Sequence, residues 1–242
     1  MTAIETRGLV KRYKRITAVD GLDLEVRRGE LFALLGVNGA GKTTAIKMLS
    51  CLTKPTEGEA FVGGYSVAEN GAAVKALIGV SPQETAIAPN LSVKENLELI
   101  CGIHGFSKEK TEQKVSELTR QFGLDTVLER RAGKLSGGWQ RRVSIAMALI
   151  GEPKILFLDE PTLGLDVLAR HELWDVIETL KGKITIVLTT HYMEEAETLS
   201  DRIGIMKNGK LLAVGTGEEL KKRAGVSDFE KAFVAIVKEA AV

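Results

Sequence analysis

Lys42, Thr43 and Thr44 close a stretch whose residue types and spacing already specify chemistry: Leu-Phe-Ala-Leu-Leu-Gly-Val-Asn-Gly-Ala-Gly-Lys-Thr-Thr over residues 31–44. An apolar run enters a glycine loop, and the pattern G-x-x-x-x-G-K-[ST] matches from Gly36 to Thr43, which predicts a phosphate cradle. Gly36, Gly39 and Gly41, with Asn38 and Ala40 between them, allow sharp turns that aim backbone N–H groups inward. A helix starting near Gly41 would direct the positive end of its dipole at the same spot and favour an anion there. Lys42 is expected to reach the β- and γ-phosphates, the Thr43 hydroxyl to ligate Mg²⁺, and Thr44 to donate to the α-phosphate. A glycine turn feeding an ordinary helix is the plain alternative; the reading adopted is a nucleotide site.

Two further clusters belong to the same chemistry. Residues 154–161, Lys-Ile-Leu-Phe-Leu-Asp-Glu-Pro, form an apolar run ending in Asp159 and Glu160. Beside a phosphate cradle, such an Asp supports Mg²⁺, and the Glu after it can accept a hydrogen bond from water aligned on the γ-phosphate. Leu135-Ser136-Gly137-Gly138 precedes a helical run at 143–149. Ser is a favoured N-cap, and the glycines leave backbone N–H groups open to an anion. One chain therefore carries two helix N-termini suited to phosphate. Two copies facing head to tail would let each close on the other's nucleotide.

The elements that position these groups read as an α/β fold with a largely parallel sheet. Expected strands are 22–26, 31–35, 77–80, 155–158, 184–189 and 202–206, with Asn208-Gly209 as a tight hairpin into 211–214. Thr216 with Glu219, and Ser92 with Glu95, have capping-box spacing and should start helices. From about Glu84 to Ile150 strand signals vanish, and Val115, Leu118, Phe122 and Leu124 are spaced for a helix face. That stretch is expected to be a helical subdomain inserted into the core.

The 242 residues are 44% hydrophobic and 27% charged, with a net charge of +1. That is an ordinary globular balance and gives no basic field to favour nucleic acid. Cys51 and Cys101 form no CxxC element, and three histidines offer no zinc-ligand spacing. Both cysteines are expected in a reducing compartment as small buried apolar groups. No signal-peptide pattern opens the chain, and apolar runs such as 145–150 are too short for a membrane span.

In order, Tyr13, Gly36 to Thr44, Gln83, Leu135 to Gly138, Ile155 to Glu160, Leu163 to Asp166 and His191 resemble the full motif set of an ABC-transporter ATP-binding subunit. The resemblance spans residues 3 to about 220. It implies a P-loop NTPase core with a mostly parallel sheet, an antiparallel β portion and the inserted helical subdomain. It further implies an ATP-binding domain at 1–225 and a short helical tail at 226–242, with ATP and Mg²⁺ as cofactors.

Position by position, Tyr13 would stack on adenine and Gly36 to Thr44 would be the Walker A loop. Gln83 would touch Mg²⁺ or the attacking water from a loop that senses the membrane partner. Ser136, Gly137 and Gly138 would bind the γ-phosphate held by the opposite protomer. Asp159 would support Mg²⁺, Glu160 would be the catalytic base, Asp166 would lie at the dimer interface, and His191 would contact the γ-phosphate. The pattern departs at Trp139, where Gln is usual, and mildly at Val37 and Leu163.

Residues 191–197 and 201–203 are similar to the ATPase subunits of ABC-2-type, daunorubicin-resistance-like exporters, and the tail at 227–233 resembles that group's ending. The tail also reads as an amphipathic helix packed on the core. No regulatory domain is expected before Val242. Implied partners are an integral membrane permease and a second ATP-binding subunit in a homodimer, at the cytoplasmic side of the cell membrane. The chain would be soluble when isolated.

A soluble, non-transport ABC ATPase is the alternative. Repair types insert a long coiled coil between Walker A and the signature, whereas only residues 43–135 intervene here, without sustained heptads. A GTPase or small-molecule kinase would leave Leu135 to Gly138 unexplained, and no N-K-x-D motif occurs.

Overall fold

Every residue of the runs Leu31–Gly36, Ile155–Asp159 and Thr185–Thr190 is buried. Apolar runs with no polar alternation are what parallel strands covered on both faces require.

The computed structural model describes residues 1–239. Its strands are β1 (Thr2–Tyr13), β2 (Ile16–Arg27), β3 (Leu31–Gly36), β4 (Glu57–Val62), β5 (Tyr65–Ser66), β6 (Ile78–Ser81), β7 (Ile155–Asp159), β8 (Thr185–Thr190), β9 (Arg202–Lys207) and β10 (Lys210–Gly215). The helices are α1 (Lys42–Leu49), α2 (Gly71–Leu77), α3 (Val93–Ile103), α4 (Lys108–Gln121), α5 (Gly137–Leu149), α6 (Val167–Glu178), α7 (Met193–Leu199), α8 (Gly217–Ala224) and α9 (Phe229–Glu239).

Six strands form one sheet in the order β10-β9-β3-β8-β7-β6, parallel except for the β9–β10 hairpin. Four more form an antiparallel sheet, β2-β1-β4-β5. Ile4, Leu24 and Val62 of that sheet share a core with Phe32, Phe157 and with Ile46 and Met48 of α1. The opposite face of the parallel sheet, through Leu156, Leu158 and Leu188, packs against α3, α5 and α6. This is the expected α/β P-loop arrangement with an antiparallel portion.

Residues 84–150 contain helices α3, α4 and α5 and no strand of either sheet. Both expected capping boxes form, at Ser92–Glu95 and at Thr216–Glu219. Lys207 pairs with Lys210 across the expected turn, where Asn208 and Gly209 both take positive φ, as a type I′ turn needs.

Several expectations need correction. The strand expected at 22–26 spans Ile16–Arg27, and β1 and β4 were not anticipated. Leu77 ends α2 instead of opening β6. Phe122 is the C-cap of α4, and Leu124 lies beyond it, past Gly123 with φ 62°. Both side chains are buried all the same, because the chain folds back under the helix. Cys101 is buried, whereas Cys51 is only half-buried. Helix α9 packs Phe229, Phe233 and Ile236 against Leu35 and Ile205. Residues 240–242 of the expected tail lie outside the described residues. Among the described residues no helix is long and apolar enough to cross a membrane.

Candidate functional site

Strand order alone gathers three of the expected clusters. β3, β8 and β7 are neighbours and parallel, with Leu35 beside Thr190 and Asp159 beside Thr189. Their C-terminal ends therefore deliver the glycine loop, His191 and the Asp159–Glu160 pair to one sheet edge, where α/β folds bind ligands.

The loop's shape depends on two glycines. Gly41 has φ 104° and precedes α1, and a Cβ there would meet Ala18 O at 2.3 Å. A Cβ on Gly36 would meet Met206 O at 2.4 Å. No larger residue fits either position without moving backbone. A cleft of about 390 Å³ opens above the loop, lined by Asn38 to Thr44, Ala18, Gln83, Glu160, Leu163 and His191. A larger cleft, about 520 Å³, lies at the opposite strand ends beside Lys154 and Lys183, with no carboxylate or histidine in its lining. Chemistry and not size therefore picks out the site.

Lys42 is buried at the base of the cleft. Its ammonium donates to Gly36 O at 2.7 Å and Val37 O at 3.3 Å, and pairs with Glu160 Oε1 at 3.1 Å. All three donors of the ammonium are thereby engaged. His191 Nδ1 lies 2.7 Å from the other oxygen, Glu160 Oε2, and donates to that carboxylate. Glu160 itself has φ 49°, a left-handed conformation costly for a side chain of this size. Two bonds hold it there, from its N–H to Thr189 O at 3.1 Å and to Thr189 Oγ1 at 3.0 Å.

Asp159 accepts from Thr43 Oγ1 at 3.0 Å and from Thr189 Oγ1 at 2.5 Å, both on Oδ1. A hydroxyl, a carboxylate and the nearby Gln83 amide form a hard oxygen donor set. Oxygen donors of this kind fit Mg²⁺, which is commonly held by one or two carboxylates plus substrate phosphates and waters.

The remaining expected residues are placed elsewhere. Tyr13 ends β1 at 43% exposure, with Lys11 Nζ 5.1 Å from its ring centre, and it does not line the cleft. Ser136, Gly137 and Gly138 sit at the start of α5, also outside the cleft lining. Ser136 is the N-cap by position, yet its hydroxyl makes no capping bond and is exposed. Asp166 caps α6, accepting from Ala169 N at 2.9 Å. Trp139 turns inward against the helical core, with Arg142 4.8 Å from its ring centre.

Thr189, Arg141 and Glu195 were not anticipated. Glu195 of α7 is fully buried, and Trp174 Nε1 donates to its Oε1 at 3.0 Å. Its Oε2 is buried and makes no hydrogen bond of ordinary geometry, although the Thr162 and Thr190 hydroxyls lie close enough to favour its charged form. Burial raises the Glu195 carboxyl above its ordinary value, opposed by neighbouring hydroxyls and the Trp174 N–H and reinforced by Glu160. A raised folded-state value favours folding below the ordinary glutamate value, roughly 4.3, and that contribution is lost as pH rises through the folded value. Glu195→Gln should therefore raise the melting temperature at pH 8 by a few degrees, about 1–3 kcal/mol. The gain should shrink toward pH 4; a gain independent of pH would count against a proton held on Glu195.

Comparison with known proteins adds to this geometry. A family model described as "ABC transporter" matches residues 19–163. The doxorubicin resistance ATP-binding protein DrrA of Mycobacterium tuberculosis is 44% identical over 226 residues, covering 92% of this chain and 68% of that protein. Among solved structures, an ATP-binding subunit of an ABC transporter superposes with a TM-score of 0.86 at 30% identity, covering 98% of this chain and all of that one. A dimeric ATP-binding cassette in a post-hydrolysis state, bound to ADP and Pi, superposes with a TM-score of 0.79 at 27% identity, covering 88% and 98%.

Proposed function

This chain belongs to the ABC transporter family of ATP-binding subunits, and on that premise we propose that two copies grip each ATP, the glycine loop of one and the Ser136–Gly138 helix end of the other. As a family member it is an ATPase coupled to transport through a separate membrane subunit. Residues 1–225 are read as the ATP-binding domain, with 84–150 as its helical subdomain.

One observation carries the two-copy reading. The free Ser136 hydroxyl and the exposed N-terminus of α5 face solvent outside the cleft. Leu163, just before α6, and Val167 and Leu168 in its first turn are exposed, at 38%, 62% and 76%. Apolar groups exposed beside an uncommitted anion-binding end suit an interface with a second copy.

In the proposed cycle, Lys42 exchanges its contacts with Val37 O and Glu160 for phosphate oxygens. That exchange releases Glu160 Oε1 to accept a proton from water, while His191 keeps the Oε2 side oriented. The N–H groups of the loop and of α5 hold charge on the transferring phosphoryl group. Thr43, Asp159 and Gln83 would hold Mg²⁺, which supplies charge neutralisation between the phosphates. Tyr13 is proposed to stack on adenine. ATP binds the closed dimer better than the open one, so binding closes it and hydrolysis reopens it.

The partner is proposed to be an integral membrane permease, with this chain bound to it at the cytoplasmic side of the cell membrane, and the direction to be export, in keeping with the likeness to a doxorubicin resistance protein. Mixing two variants before adding ATP tests the composite site. Glu160→Gln lacks the base and Ser136→Arg lacks the lid, so each alone should be inactive. Their mixture forms one intact site per heterodimer and should recover about a quarter of the normal rate. No recovery would mean that the lid and the loop serve ATP within one chain.

A further inference from the structure

Between β6, which ends at Ser81, and α3, which begins at Val93, the chain has no regular secondary structure. Gln83 is exposed in this segment and reaches the cleft. A loop without a strand or helix ladder takes its position from the side chains that grip it.

Two buried side chains from the helical region grip its ends. At the far end Asn96, fully buried on α3, accepts from Ala88 N at 2.7 Å and donates to Ala88 O at 3.1 Å and Ser92 O at 2.8 Å. At the near end Arg141 of α5, only 4% exposed, spans both carbonyls around Gln83. Its Nη1 donates to Pro82 O at 2.5 Å and its Nη2 to Gln83 O at 2.6 Å.

Arg141 is an unusual group to bury for this purpose. Burying a guanidinium is costly unless charge or hydrogen bonds compensate. Among the described residues no carboxylate lies within ion-pairing distance of Arg141; Asp159 and Glu195 face it only at longer range. Its short bonds go instead to two consecutive loop carbonyls. A planar fork fixes direction at both, which a lysine ammonium does not. Arg141 also stands three residues after Gly138, on the helix whose first turn carries the phosphate lid. The loop that brings Gln83 to the cleft is thus fastened to the helix that presents Ser136.

We propose that Arg141 is the positioning residue for Gln83, tying its loop to α5 so that Gln83 and the Ser136 lid move as one body. The effect on turnover rests on the reading of Gln83 as a group at the metal or the attacking water; the tie itself does not. When the lid docks on a second copy's ATP, Gln83 shifts with it. Events at the partner-facing loop and at the lid are then coupled through one side chain.

A double-mutant cycle on the full chain tests this, with the rate of proteolysis after Glu84 as a second readout. Arg141→Gln should lower kcat about 10- to 100-fold, the scale of misplacing a catalytic group by about 1 Å. The ATP Kd, set by the Lys42 loop, should stay within about twofold. Added to Gln83→Ala, the change should cost less than about threefold more, because both act through one group. Arg141→Lys, which keeps the charge but presents a single nitrogen in place of the planar fork, should fall between the wild type and Arg141→Gln, and it replaces Arg141→Gln if that variant fails to fold. Full multiplicativity of the two changes would overturn the proposal. If Gln83→Ala leaves kcat untouched, the reading of Gln83 fails, and proteolysis decides the tie. A glutamate-specific protease should then cut after the exposed Glu84 at least about tenfold faster in the Arg141 variant; an unchanged cutting rate there would overturn the inference.

Discussion

Glu160→Gln should cut ATP turnover by about a hundredfold or more, the usual contribution of a general base, while the protein still binds ATP and elutes as a dimer. Gln is nearly isosteric, so the positive-φ backbone, held by two bonds to Thr189, has no reason to change. What disappears is the basicity and the negative charge. In the wild-type site that charge sits between Lys42 at 3.1 Å and His191 at 2.7 Å. On the proposed reading, Lys42 turns to the phosphates when ATP binds, and Glu160 becomes an anion facing another anion. Removing its charge relieves that repulsion, so ATP is held more firmly just when it cannot be cleaved. Gel filtration with saturating ATP should show the dimer accumulate, and single-turnover measurements should show the slow step at hydrolysis. A variant that remains monomeric would count against the composite site, and one that turns over at close to the normal rate would remove Glu160 from the role of base.

The parts of this site that were legible in the sequence are those built from neighbours along the chain. Gly36 to Thr44 and the Asp159–Glu160 pair each declare their chemistry within a few residues, as does the proposed second-copy contact at Ser136 to Gly138, because a turn and a helix start are local structures. β3, β7 and β8 were legible for a related reason: buried on both faces, they are continuous apolar runs. β1 and β4 were not, because they pack one face only and carry charges on the other. Glu57, Gly58 and Glu59 of β4 are all exposed, so only Ala60 and Val62 mark it as a strand. The illegible part of the site is made of long-range contacts. Thr189 meets Asp159 and Glu160 across adjacent strands, and Arg141 meets Pro82 and Gln83 across the helical region. Nothing in a run such as Gln-Arg-Arg says which arginine turns inward. Here Arg141 is buried, while Arg142 lies over Trp139 and pairs with Glu172.

Lys42→Ala should weaken ATP binding about a hundredfold, some 2.7 kcal/mol, the scale of a charge-assisted contact to phosphate. The same change should also destabilise the fold. Lys42 is 5% exposed and stands against a Glu160 side chain that is 7% exposed. Removing one partner of a buried pair leaves an uncompensated charge, at about 3–5 kcal/mol. His191 on the other side of Glu160 offsets part of that cost, so the lower end of the range applies. A weakened ATP affinity alone would not separate a lost phosphate contact from a distorted loop. Combining Lys42→Ala with Glu160→Gln does separate them. The double variant has no stranded carboxylate and should regain most of the lost stability, read by thermal unfolding without nucleotide. Its ATP affinity, read with a fluorescent analogue, should stay low because no ammonium reaches the phosphates. Recovery of both stability and affinity would mean that Lys42 acts only by neutralising Glu160, and the phosphate cradle would then owe its grip to the loop amides and the α1 dipole.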